Sequence, residues 1–270
     1  MSVLIKSKCL KAFIEIKMIK NLKKSSRDQR EIDNFNLTAE DWWNTQGQYS
    51  ALHKLTPIRV EYITRTIRRF STNNKNEPNK DLFNKLKILD IGCGGGLLCE
   101  PLSRLGSKVL GIDAAPNIIK MAKMHAQKLN LDISYQCKSI EEISNIEDSF
   151  DLIIASEVIE HVSNRAMFLN SLSKVADKNT IIIITTINKS IPGVLFGKFA
   201  AEYLLNLVPK GTHDWKKFVS PKTLFTEAKE AGILLDNFTG FAPNPLSNNF
   251  SLSSFLGINY AASGVKISQI

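Results

Sequence analysis

From Leu86 onward, short apolar runs of strand length alternate with helix-length amphipathic stretches: KILDI (87–91), KVLGI (108–112), ISYQC (133–137), DLIIA (151–155) and TIIIITT (180–186). Strands that are apolar on both faces and separated by helices describe βαβ units, and hence a parallel sheet covered on both sides. A last helix is sharply punctuated, with Ser220 as N-cap, Pro221 at the first helical position and Gly232 just past its end. Two more strands are expected, near 233–240 and around 254–262. Upstream, residues 32–49, with Trp42 and Trp43, and 56–70 predict a helical section. The polar stretch STNNKNEPNKD (71–81) separates that section from the sheet.

Composition adds little to this picture and charge adds more. The 270 residues are 43% hydrophobic and 23% charged, with four cysteines and no C-x-x-C pair, which fits a globular chain in a reducing compartment without a structural disulfide or thiolate zinc site. Of the net charge of +9, most sits in a tail: residues 1–27 carry eight Lys or Arg against the single acid Glu15. The body is nearly neutral, and the tail has one aromatic residue, Phe13, so a nucleic-acid partner is not expected. Residues 1–30 read as a basic, poorly ordered extension, with a membrane-surface arm or an import sequence as alternatives. No apolar run is long enough for a transmembrane span.

The chemistry concentrates at LDIGCGGGLL (89–98), a strand running into a glycine cluster and then a helix. Glycines at 92, 94 and 96 permit a tight turn and let a ligand touch backbone. Asp113, at the end of the second strand, is placed to accept hydrogen bonds from the vicinal hydroxyls of a ribose. Charge then separates the two cofactors that use this layout. A pyrophosphate wants helix N-terminal N–H groups and no carboxylate nearby. S-adenosylmethionine (SAM) carries a sulfonium and an ammonium, which suit Asp90. The spacing is also G-x-G-x-G, with Leu97 where a dinucleotide fingerprint would have glycine. SAM is therefore expected, and an NAD(P)-dependent oxidoreductase is the alternative.

The segment SEVIEHV (156–162) follows the fourth strand, at the carboxyl edge where parallel sheets hold their ligands. If it turns helical, Glu157, Glu160 and His161 share one face and can hold a divalent ion; otherwise the acids cap helices or pair with neighbours. His161 can serve as ligand or as general base. His213, beside Asp214, is the competing base or a structural hydrogen-bonding residue. His53 and His125 read as ordinary helix residues. Arg59 reads as a clamp for the SAM carboxylate or as a surface ion pair.

Several stretches together carry a family resemblance: Asp41-Trp42-Trp43, LHKLTPIR (52–59), LDIGCGGGLL, SEVIEHV and AEYLLNLVPKGTHDWKKFVSP (201–221). From about residue 31 onward the chain resembles the ubiquinone-biosynthesis O-methyltransferases, within the class I SAM-dependent methyltransferases. The resemblance implies a Rossmann-like α/β fold: a seven-stranded, mostly parallel sheet in the order 3-2-1-4-5-7-6, with strand 7 antiparallel, helices on both faces and a helical N-terminal cover. It carries SAM contacts onto Arg59, Gly92, Asp113 and Ser156, beside Asp90 and Gly94 from the loop itself. It implies Mg2+ at Glu157, Glu160 and His161. The implied substrate is a polyprenyl catechol, methylated on oxygen at two hydroxylation levels of the ring, and other enzymes of the pathway are expected partners.

Between the fifth strand and the last helix, about 187–219 forms a long insertion whose apolar residues Ile191, Val194, Leu195, Phe199, Tyr203, Leu204, Leu207 and Val208 recur at helical spacing between lysines. It reads as a lid that meets anionic lipid, or as a lid packed on its own core. The expected location is peripheral, on the cytoplasmic side of a bacterial inner membrane or, alternatively, on the matrix side of the mitochondrial one. A non-catalytic subunit that keeps only the SAM fold is a third possible reading.

Overall fold

A computed structural model describes residues 25–71, 82–143, 149–190, 217–244 and 249–267. Of the expectations above, the basic extension up to residue 24, most of the polar stretch 71–81 and the insertion between 191 and 216, with His213, lie outside the described residues. Strands β1 (Lys87–Ile91), β2 (Lys108–Asp113), β3 (Ile133–Cys137), β4 (Leu152–Ser156) and β5 (Ile181–Ile187) stand within a residue of the five apolar runs. They pair in parallel in the order β3-β2-β1-β4-β5. β8 (Asn259–Lys266) joins β5 antiparallel, and β6 (Ile233–Asn244) pairs antiparallel with β8.

This is the expected strand order with one addition. β7 (Asn249–Ser253) folds back on β6 as an eighth, outermost strand, and β8 begins later than the pattern around 254–262 suggested. The short sequence NFSLS at an edge offers too little apolar signal to mark a strand.

The sheet is buried on both faces because its strands carry apolar side chains on both. On one side Ile153, Ile182 and Ile184 pack with Phe168, Leu169 and Leu224; on the other Ile88, Leu152 and Ile183 pack with Ile63, Leu102 and Ala122. Helices α1 (Gln29–Leu37), α2 (Ser50–Phe70), α3 (Cys99–Arg104), α4 (Pro116–Lys128), α5 (Ile140–Ile143), α6 (Arg165–Val175) and α7 (Pro221–Glu230) supply the cover. α7 starts where expected: the Ser220 hydroxyl accepts from the Thr223 N–H at 3.1 Å, Pro221 opens the helix and Gly232, at φ +79°, follows its end. α2 begins six residues earlier than its pattern suggested, at Ser50, and tolerates Pro57 within it.

A third cluster positions the site. Ala39, Trp42, Tyr49, Leu97 and Ile118, with Ile32 and Phe35 packed against them, tie the N-terminal section over the glycine loop. The packing begins before residue 31. Ser26 is 2% exposed, its N–H donates to Glu141 at 3.1 Å, and its carbonyl accepts from the Ser163 N–H at 2.7 Å. Residues 25–28 thus form a strap between α5 and the turn after β4, so the folded body extends upstream of the boundary drawn at residue 30.

Candidate active site

The carboxyl ends of β1, β2, β4 and β5 open into a cavity of about 650 Å³, roofed by the strap, α1 and the first turns of α2. Arg59, Asp90, Gly92, Asp113, Ser156, Glu157, Glu160 and His161 all line it. Eight residues singled out in the sequence therefore meet in one place.

The glycine loop is shaped by what presses on it. Gly92, Gly94 and Gly96 have φ of +65°, +55° and +93°, a region side-chain-bearing residues rarely adopt. A Cβ added at Gly94 or Gly95 would run into the Trp42 indole, and one at Gly92 into Val158. Trp42 is itself held by Tyr49, with ring centroids 4.1 Å apart, and by His53, whose Nε2 lies 2.9 Å from the Trp42 carbonyl oxygen. His53 is thus a pin for the cover. His125 has a similar place, stacked on Trp43 at 3.6 Å and paired with the buried Glu100 of α3.

Two carboxylates flank the loop. Asp113 accepts from the N–H of Gly94 at 3.1 Å and of Ala115 at 2.8 Å, one on each oxygen. Each oxygen keeps a second lone pair, enough for a ribose diol. Burial raises its pKa, and those N–H groups work against the rise. Asp90 is 2% exposed and accepts from the Cys99 thiol at 3.1 Å; burial pushes its pKa up to about 7. A carboxylate poised there gains most from a cation beside it.

Arg59 enters from α2. It is 5% exposed, and its Nε and Nη2 have no hydrogen-bond partner. Nη2 lies 3.3 Å from Glu157 Oε1 as a buried ion pair. Buried guanidinium donors left unpaired are costly, so an anionic ligand group is the natural acceptor. Burial excludes a surface position for Arg59, but the ion pair expected as the alternative is present, with Glu157. Ser156 Oγ lies 2.9 Å from Thr185 Oγ1, whose own proton goes to Glu157, so the Ser156 hydroxyl donates to Thr185 and keeps its acceptor capacity.

The helical face expected for Glu157, Glu160 and His161 does not form. The segment is a turn, and Glu157 has φ +56°, which breaks the i, i+3, i+4 alignment. Glu157 accepts from the Thr185 hydroxyl at 2.8 Å and from Asn259 Nδ2 at 3.0 Å. Glu160 accepts from the Thr186 hydroxyl at 2.9 Å, and burial, then the Glu157 charge, push its pKa up. His161 Nδ1 faces Glu31 Oε2 of α1 at 3.3 Å. Among the described residues no group of three His, Cys, Asp or Glu is arranged to hold a metal, and these three as placed do not fit Mg2+.

His161 has instead a partner that sequence reasoning missed. Glu31 also accepts from Lys217 Nζ at 2.8 Å, and Lys217 reaches Asp28 at 3.1 Å. The His161 imidazole, aided by Lys217, pulls the Glu31 carboxyl down to about 2 against the opposing effect of burial. Burial works against charge on His161, but Glu31 and Glu160 outweigh it and raise its pKa. Nothing in the sequence marks Glu31, because its contacts lie far along the chain. Where the insertion leaves and re-enters, the Val219 N–H donates to the Ile187 carbonyl at 3.3 Å, and Ile187 lines the cavity.

Comparison with known proteins bears on this site. Residues 89–184 match the family model described as a methyltransferase domain. The chain is 39% identical over 233 residues to a ubiquinone biosynthesis O-methyltransferase of Bartonella tribocorum, covering 86% of this chain and 94% of the relative. It is also 39% identical over 243 residues to the Pelagibacter ubique protein of the same name, covering 90% and 99%. Among solved structures, magnesium protoporphyrin IX methyltransferase from Synechocystis PCC 6803, with bound SAH, aligns with TM-score 0.58 at 17% identity, over 88% of this chain and 100% of that one. That likeness concerns the fold: a class I SAM-dependent methyltransferase. With close to two fifths of residues shared across nearly the whole length of its relatives, the chain belongs to the ubiquinone biosynthesis O-methyltransferase family.

Proposed function

We propose that this chain methylates a phenolic oxygen of polyprenyl catechols in ubiquinone biosynthesis, at the level of 2-polyprenyl-6-hydroxyphenol and of 3-demethylubiquinol, with SAM as donor. The observation that carries the cofactor reading is Arg59, a buried guanidinium whose Nε and Nη2 make no hydrogen bond, in a cavity that also presents Asp90 and Asp113. One anion site and two acid sites suit the carboxylate, the positive groups and the ribose of SAM. A dinucleotide would set its pyrophosphate against Asp90.

SAM supplies an electrophilic methyl group on a sulfonium. Arg59 holds the carboxylate end, Asp90 favours the positive groups, Asp113 takes the ribose hydroxyls, Gly92 and the Ser156 backbone admit close approach, and Gly94 makes room for the Trp42 cover and gives its N–H to Asp113. A phenol has a pKa near 10, so a base must take its proton as the oxygen attacks. His161 lines the cavity and pairs with Glu31 as an ion-pair contact; its neutral form would take the proton, and Glu31 stabilises the imidazolium so formed. His213 remains the second candidate base.

Calorimetric titration with SAM and with NADH tests the cofactor: SAM binds and NADH does not. Transfer of labelled methyl from SAM to a short-chain catechol tests the reaction, and its absence would remove the enzyme reading in favour of a SAM-fold subunit. Comparing His161→Gln with His213→Gln assigns the base, since loss at one position alone names it.

We further propose that the chain works at an anionic membrane surface, as a polyprenyl substrate requires, in a bacterial cytoplasm or on the matrix side of a mitochondrial membrane, in contact with other enzymes of the pathway. The support is the amphipathic, lysine-flanked pattern of 187–219 and the cavity-rim position of Ile187. No helix among the described residues is long and apolar enough to cross a membrane.

A further inference from the structure

Glu157 sits in a backbone conformation that its residue type disfavours, φ +56°, at the mouth of β4. Such strain persists where the surroundings over-determine it, and at ligand sites it commonly serves the ligand. Here three hydrogen bonds do so. The Glu157 N–H donates to the Thr185 carbonyl at 2.9 Å, the Thr185 hydroxyl donates to Oε1 at 2.8 Å, and Asn259 Nδ2 donates to Oε2 at 3.0 Å. Asn259 is 3% exposed and begins β8, so the carboxylate is gripped from two neighbouring strands.

The carboxylate fixed in this way stands 3.3 Å from Arg59 Nη2, the two side chains being 10% and 6% exposed. That is close enough for charge pairing in a dry environment, yet Nη2 and Nε make no hydrogen bond. A guanidinium is a rigid planar fork. A charge pinned beside one nitrogen sets the rotation of the fork and leaves its other donors for a ligand. Resting on the reading of Arg59 as the seat of the cofactor's carboxylate, we infer that Glu157, gripped by Thr185 and Asn259, is a positioning residue that aims Arg59 at the amino-acid end of the cofactor.

The test is calorimetric binding of two probes to the full chain: S-adenosylhomocysteine, and 5′-methylthioadenosine, which keeps the nucleoside and sulfur but lacks the amino acid. Glu157→Ala and Asn259→Ala should each weaken S-adenosylhomocysteine at least tenfold and leave 5′-methylthioadenosine within twofold. Glu157→Gln, which keeps the size of the side chain but not its charge, should share most of the selective loss. Arg59→Met should show the same selective loss. If Arg59→Met loses S-adenosylhomocysteine and Glu157→Ala does not, the positioning role is overturned while the Arg59 reading stands. If Arg59→Met binds S-adenosylhomocysteine normally, the carboxylate reading itself falls. Parallel weakening of both probes by Glu157→Ala would mean that Glu157 only supports the fold, and would overturn the inference.

Discussion

Trp42 lies against Gly94 with no room for a Cβ between them. The indole and the loop are therefore parts of one surface, although one belongs to the N-terminal cover and the other to the sheet. The cover is not a separate cap: removing its contact would leave the loop free to shift, and filling the loop would push the cover off.

Gly94→Ala should thus act on cofactor affinity before it acts on the fold. The left-handed φ costs a side-chain residue about 1–2 kcal/mol and overpacking typically 1–3 more. The expected result is a loss of SAM affinity of roughly tenfold or more, with the sheet's circular dichroism unchanged. Calorimetry on the variant checks it.

Asp90 makes affinity depend on pH. Its pKa near 7 means that the carboxyl is largely protonated at pH 6 and ionised at pH 8, and a cationic ligand binds the ionised form. SAM should bind about tenfold more tightly at pH 8 than at pH 6, with proton release that shows as a buffer-dependent binding enthalpy. In Asp90→Asn both effects should vanish.

The Glu31–His161 pair gives stability its own pH window. Glu31 is depressed to about 2, so its contribution is present above its ordinary value of 4.5 and is lost as pH falls toward 2. His161 is raised, so its contribution is present below 6.5 and is lost as pH climbs through the raised value. Both are charged between about 4.5 and 6.5. The gap in Tm between the wild type and Glu31→Gln should be widest there, closing in acid and narrowing, as pH climbs through the raised His161 value, to what Lys217 alone supplies.

Replacing Phe199 and Leu204 with Glu should abolish co-sedimentation with anionic liposomes while leaving SAM binding intact. Unchanged co-sedimentation would remove the membrane role of 187–219.

Much of the sheet could be read in advance because its strands are buried on both faces and so spell out apolar runs; IIIITTI of β5 is the extreme case. The glycine loop was equally plain, since its left-handed turn is local in sequence. What could not be read depends on contacts across the chain. Glu31 meets His161 and Lys217 only after folding. Glu157, Glu160 and His161 have the spacing of a helix face, but one positive φ turns them toward Asn259, Thr186 and Glu31 respectively. β7 is short, polar and at an edge, where pattern carries least.

The clasp between Ile187 and Val219 does not stand alone. Lys217, two residues before Val219, reaches back to Glu31 and Asp28, and Asn188, one residue after Ile187, bonds to Leu256 and Ile258. Any foreign segment spliced between β5 and α7 would therefore have to carry these seams with it, or the roof over the cavity would lose its moorings to the sheet.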